Sequence, residues 1–398
     1  MFLALAGFVV GLGSVGTVQK YAGTAIAIVY LVAVTVLAPL LVPPLLRRAE
    51  RYLAGTRGYL AAALVFVVLA VVLVIVYPHA NVHVPGQGSD RDESIGLGVR
   101  ALLHGHQPYG QRTYLGDPVD QGPTVFVIAA PFAAFTATGW QNLLWLAQLL
   151  VFLARLSSPG VAAAVLALGF LAAPAVPRDY VTGGDLLANP VYVAAAAWVA
   201  YRSAKTRWWL GAAIVLGIAL GSRPNWALLL IPLAVALTRE GSPRIAARTV
   251  GVAAFVGAVI YAPFVATRTG RSGLTVANML HPLGGFGQYA TVAVAAVFAL
   301  WLALRQRQWS APVLFWQMAL VQASFAFALV VHASAAAGSF DAHSLVSGYG
   351  VPATVLVLFA VAATAAGASR APASARPSSA QERGIDAGDP LRERAVAS

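Results

Sequence analysis

The sequence predicts an all-α, polytopic integral membrane protein, and three observations predict it. Hydrophobic residues fill 59% of the 398 positions and charged residues only 10%, whereas a soluble domain carries about a quarter charged residues. Apolar runs recur along the chain at lengths near the roughly 20 residues that a bilayer crossing needs. Loops rich in arginine alternate with loops poor in it, the pattern of the positive-inside rule. Cysteine is absent, which excludes disulfides, thiolate nucleophiles and Cys-ligated metals. A net charge of +12 would point a soluble protein towards nucleic acid; here it follows the loop bias, and no nucleic-acid partner is expected.

The N-terminal stretch Met1–Gly16 has no cationic leader region and reads as a first membrane helix, not a cleaved signal. Hydropathy places thirteen candidate spans at about 3–18, 22–45, 58–77, 123–138, 141–156, 159–176, 189–203, 207–221, 225–238, 249–266, 288–304, 312–332 and 349–367. Several fall short of a full crossing, which implies tilt, local thinning or re-entrant pieces. Residues 1–367 therefore read as one transmembrane domain. Residues 368–398, rich in Ala, Ser, Pro, Arg and Glu, read as a disordered cytoplasmic tail.

Basic residues set the orientation. Loops 46–57, 202–208, 239–248 and 305–311, with the tail, hold 17 of the 26 Lys and Arg residues, and that side is expected to be cytoplasmic. Four candidate spans lie between the outer loop 78–122 and the inner loop 202–208, where parity requires three. One of them is expected to be re-entrant or broken, most plausibly near 141–176 with its Pro159, Pro174 and Pro177. The expectation is about twelve crossings with both termini inside, in the plasma membrane. All seven histidines, with Asp90, Asp92, Glu93, Asp117, Asp120 and Asp341, then fall on or near the outer face.

The polar island 78–122 carries five of the fourteen acidic residues of the chain. Carboxylates held in one loop between membrane spans point to chemistry or ligand binding; a solvated connector is the plain alternative. Within it, Asp92 to His104 reads as an amphipathic helix, with Ile95, Val99, Leu102 and Leu103 forming one apolar stripe. Ser89 precedes Asp92 by a capping-box spacing, and Gly105 offers a C-cap. Such a helix would lie along the membrane surface, apolar side down, with Asp90 and Asp92 at its N-terminal end above the lipid. Simple stabilisation of the helix dipole is the competing role for those carboxylates.

An aspartate opening an outer loop, a short amphipathic helix, the turn formed by Leu102, Leu103, Gly105, Pro108 and Tyr109, and the Gly122-Pro123 step into the next span resemble the GT-C glycosyltransferases. The likeness is to actinobacterial transferases that use polyprenyl-phosphate mannose or arabinofuranose. The segment 217–233 (GIALGSRPNWALLLIPL) is similar to the family stretch where a basic residue follows a Gly-rich helix end. Together these cover roughly 65 residues. In place of the aromatic residues that such families often carry after the aspartate, this chain has Glu93, Ser94 and Ile95, so the matching aspartate is either Asp90 or Asp92. The resemblance implies a GT-C-like fold and transfer of a sugar from a polyprenyl-phosphate donor to a lipid or glycan acceptor of the cell envelope.

Such chemistry needs a base for the acceptor hydroxyl and neutralisation of the departing phosphate. Asp92, with Asp90 second, is the expected catalytic base. Glu93, Arg100, His104, His106, Tyr109, Arg223 and Asn225 are the expected substrate-binding residues, Arg223 as a two-oxygen phosphate ligand. Arg223 could equally be an interfacial arginine, and Arg268 and Arg271 are further phosphate candidates. No cofactor and no resident metal are expected. His79 with His83, and His104 with His106, are of ligand type for a divalent cation but form no ligand signature. Asp185 and Asn189 in the GGDLLANP stretch (183–190) are polar residues whose side of the membrane parity leaves open. A polytopic transporter or flippase of lipid-linked glycans is the first alternative, although no paired halves are visible. An envelope glycan polymerase or ligase and a noncatalytic assembly subunit are the others.

Overall fold

The computed structural model describes residues 2–80, 89–134, 137–267, 283–343, 345 and 348–369. His83, Arg268, Arg271, His281 and the tail from 370 lie outside the described residues. Among the described residues the chain is all-helical, without strands, and has one isolated bridge, Arg112 to Pro118. The helices are α1 (Phe2–Ala22), α2 (Thr24–Tyr52), α3 (Thr56–Ala80), α4 (Arg91–Leu103), α5 (Pro123–Ala133), α6 (Gln141–Leu156), α7 (Pro159–Ala172), α8 (Ala175–Val181), α9 (Ala188–Ser203), α10 (Trp209–Leu220), α11 (Leu230–Glu240), α12 (Pro243–Val265), α13 (Gly284–Arg305), α14 (Ala311–Ala337) and α15 (Val351–Ser369).

Six of these, α1, α2, α3, α12, α13 and α14, are long and apolar enough to cross a membrane, and up to eight spans result if each bent pair counts as one. The other apolar helices are shorter than the sequence reading requires of twelve crossings. α10, with 12 residues, rises only about 18 Å, against a hydrocarbon core of about 30 Å. Helices α2 and α3 expose Val29, Val36, Leu40, Leu64, Val68 and Ile75, an apolar surface suited to lipid. Inside the bundle, α14 and α15 bury Phe315, Phe325 and Phe359. Helix α1 meets α2 closely because it presents small residues. A Cβ on Gly7 would collide with the Val34 carbonyl and with Ala38, the close backbone approach that small residues allow in lipid.

The helix ends sort into two groups. At one end, Gly122 N–H bonds the Ser222 carbonyl, Thr138 Oγ bonds the Asp92 carbonyl, and Gln19 Oε1 accepts from Ala342 N–H. At the other, Lys205 bonds the Glu240 carbonyl, Arg248 the Ala204 carbonyl, and Arg239 the Leu304 and Gln306 carbonyls. The basic loops thus gather opposite the polar island. This arrangement adds a second bent piece to the one expected near 141–176. Residues 122 and 138 both lie at the island end, so 123–138 enters and returns through α5, and the chain then runs end to end in α6, in α7 with α8, and in α9. Two bends of 100° and 96° mark the α5–α6 and α7–α8 junctions. The second is the break expected near 141–176, at Pro174; the first is a further bend that the sequence reading did not single out.

Candidate functional site

Helix α4 begins at Arg91, with Asp90 as its N-cap. The N-cap is Asp90, which makes no side-chain cap, and Ser89 Oγ takes the Arg91 N–H at 3.4 Å. The C-terminal expectation holds. Gly105 has φ +72, its N–H reaches the Leu102 carbonyl, and the His106 N–H reaches the Ala101 carbonyl at 2.8 Å; this is a Schellman closure that glycine makes without a Cβ penalty. The apolar stripe faces protein and not lipid. Ile95 and Val99 are buried with Tyr109, Val119, Val125 and Phe126, whereas Leu103 is exposed. Gly98 lets Phe126 lie against the helix, since a Cβ there would overlap the ring.

This docking carries the N-terminus of α4 into a polar pit built from several separate stretches. Asp92 Oδ2 accepts from the Tyr77 hydroxyl at 2.5 Å, and the same hydroxyl accepts from Gly139 N–H. Beside them, a Cβ on Gly183 (φ +72) would press on Tyr77, Asp92 and Gly139. Asp90 Oδ2 accepts from Thr113 at 2.6 Å, and Glu93 Oε2 from Tyr114 N–H at 2.9 Å. The 111–119 turn therefore folds over the start of α4. Asp117 approaches Asp90 from that turn; burial and then the Asp90 charge raise its pKa.

At the bottom of the pit lies Asp185, 1% exposed. Its carboxylate accepts from Arg223 Nε at 3.2 Å and from Nη2 at 2.9 and 2.8 Å, and from Asn189 at 2.8 Å. Arg91 Nη1 stands 3.6 Å from Asp185 and 3.9 Å from Asp179. Asp179 also accepts the Leu187 N–H, and a Cβ on Gly184 would collide with its carboxylate. The Gly183-Gly184-Asp185 turn is thus the joint between Asp92, Asp179 and Arg223. Burial drives the Asp185 pKa up, but Arg223 and Arg91 outweigh it and hold the carboxyl below its usual range. Half-buried Asp120 has the opposite balance: burial raises it, and Arg223 only partly compensates. Tyr349, from the far end of the chain, faces the charges of Asp120, Arg91, Arg223 and Asp185.

The nine residues expected in the site do not all converge. Asp90, Asp92, Glu93 and Arg223 do. Arg223 has Nε and Nη2 on Asp185, which leaves the two N–H groups of Nη1 as its donors towards a phosphate. Tyr109 is buried and donates to the Gln121 carbonyl at 3.0 Å, a core role. Asn225 donates to Gln322 at 2.7 Å and ties its turn to α14. Arg100, His104 and His106 are exposed. The helix rise sets the backbones of Arg100 and His104 about 12 and about 18 Å from that of Asp92, so the histidines cannot touch the same small group. His79 Nδ1 lies against the Ile75 carbonyl. Among the described residues no group of three metal-ligating side chains is assembled.

Sequence reasoning did not assign roles to Tyr77, Arg91, Asp120, Asp179 or Tyr349. The readable signal was Gly183-Gly184 before Asp185: two glycines at a break between apolar runs mark a close backbone approach. Gly122, read from the sequence as the step into the next span, is a second close approach. A Cβ there would strike the Gly221 and Ser222 carbonyls, so this glycine joins the island to the 217–233 segment. Compared with protein-family models, curated proteins and solved structures, the chain matches none.

Proposed function

We propose that this chain is a membrane glycosyltransferase of the GT-C kind, moving a sugar from a polyprenyl-phosphate donor to a cell-envelope glycan or glycolipid at the island end of the bundle. One observation carries the reading. Four stretches bring Asp90, Asp120 and Asp185 together with Arg91 and Arg223 at a helix-bundle end, and Asp92 lies against Gly183 of the same turn as Asp185. Carboxylates suit hydroxyl groups and proton transfer, while guanidinium groups suit a lipid phosphate. In the proposed step the acceptor oxygen attacks the anomeric carbon and the bond from that carbon to the phosphate oxygen breaks. The hydroxyl proton passes to Asp92, and the phosphate leaves with its electron pair, its charge met by Arg91 and by Nη1 of Arg223. Tyr77 keeps Asp92 turned towards the pit. On this reading the island end faces the outside, and both termini lie in the cytoplasm, in line with the basic loops gathered at the other end.

The reading predicts that deleting the gene truncates an envelope glycan. Wild type should restore it, and an expressed, folded Asp92→Asn should not. Rescue by both Asp92→Asn and Asp90→Asn would remove the catalytic role of the island. The buried Asp179–Arg91–Asp185–Arg223 network keeps a flippase as the second reading, because ionisable groups between helices also serve transport. In that case Asp185 variants would fail while Asp92→Asn rescued.

A further inference from the structure

On the side of the bundle where α1, α2, α7 and α15 meet, there is a cavity of about 240 Å³. Its walls include Val10, Ala38, Leu41, Gly169 and Leu358, all apolar. It belongs to the half of the bundle away from the polar pit, since it runs from Val10 and Ala172 down to Leu3 and Leu46. Leu37, Leu41 and Leu45 on its α2 wall are at the same time exposed, so the cavity opens sideways, at the depth of membrane-crossing helices. Pro39, Pro43 and Pro44 lie inside α2 at this height. Each removes a backbone bond of the kind that keeps a helix straight.

An apolar cavity of about 150 Å³ takes up benzene, so by proportion this one accommodates roughly ten carbons. In a bilayer the available occupant of that chemistry is one hydrocarbon chain entering from the side. The wall also says which lipid. Val34, Ala38, Leu41 and Leu45 follow one another at helical spacing on α2, and the next position of that stripe is Arg48. Arg48 is exposed, with exposed Arg47 and Arg51 beside it and Glu50 the one acid in that turn. A chain seated in the cavity with its end towards Leu45 would place its headgroup at this arginine cluster. We propose that this cleft holds one acyl chain of an anionic phospholipid, with the headgroup phosphate at Arg48. The site is independent of the transferase reading.

The test is native mass spectrometry of the full chain in mild detergent, titrated with phosphatidylglycerol and phosphatidylcholine carrying the same acyl chains. The expected result is one saturable first adduct that prefers phosphatidylglycerol. Leu41→Trp, at the half-exposed mouth, should weaken that adduct by more than an order of magnitude, which is what displacing only two methylenes costs. Leu45→Trp, on the same wall, should repeat the loss if Leu41→Trp does not fold. Leu40→Trp, exposed and outside the cleft, should bind as wild type does. Arg48→Gln should keep the adduct and lose the headgroup preference. Wild-type binding by Leu41→Trp and Leu45→Trp, equal binding of the two lipids by wild type, or a dimer whose formation removes the adduct would each overturn the assignment.

Discussion

Replacing Asp185 tests the centre of the pit. Its carboxylate is 1% exposed and takes three hydrogen bonds from Arg223 at 2.8 to 3.2 Å, with Arg91 at 3.6 Å. Asp185→Leu takes from the Arg223 guanidinium, which is 11% exposed, the carboxylate it is hydrogen-bonded to, and leaves it only the more distant charge of Asp120. Breaking one side of a buried pair costs about 3–5 kcal/mol. Arg223→Met should cost less, because Asp185 keeps Arg91 and Asn189. The double variant Asp185→Leu/Arg223→Met should be more stable than Asp185→Leu alone, because apolar replacement of both charges is often neutral. Reversible unfolding in mixed micelles gives the three values. A double variant whose loss equals or exceeds the sum of the single losses would refute the reasoning that the two residues act as one buried unit. The pH dependence has a defined sign. The Asp185 pKa is depressed in the folded state, so its contribution is present above the unfolded value of about 3.9 and is lost as pH falls through the folded value.

Asp120 should behave in the opposite way. Its folded pKa is raised by burial, so the native state is favoured by protonation and loses that stability as pH rises from the unfolded value through the folded one; Asp120→Asn should unfold later than wild type at pH 7, and the gain should vanish below about pH 4. Tyr77→Phe removes the hydroxyl that joins Asp92 to Gly139. About 1–2 kcal/mol should be lost, and on the transferase reading the turnover in purified, reconstituted protein should fall more than the apparent affinity for donor. Gly122→Ala drives a Cβ into two backbone carbonyls and should cost about 2 kcal/mol or more, whereas Gly116→Ala, in open space at φ +86, should cost about 1 kcal/mol; thermal unfolding of the two variants in detergent checks the order.

The sequence by itself determined the helical membrane class, the position of nearly every helix, the polar island and the end of α4 at Gly105. These follow from quantities local to a few turns: apolar run length, glycine's access to positive φ, and the bias of arginine among loops. It also placed Asp90, Asp92, Glu93 and Arg223 in one site. What it could not hold was distance between segments. Asp185 pairs with Arg223 across 38 residues, and Tyr349 reaches the same charges from 229 positions beyond Asp120, so neither partnership leaves a local pattern. The rise of α4 separated the histidines from Asp92, although both belong to one short loop in sequence. The bend after α5 was equally hidden, because an 11-residue apolar helix has the composition of a span, and only the contacts of Gly122 with Ser222 and of Thr138 with Asp92 put both its ends at the island. Composition records how much apolar surface must leave water. Which charged groups remain together once it has done so is decided by how the helices pack.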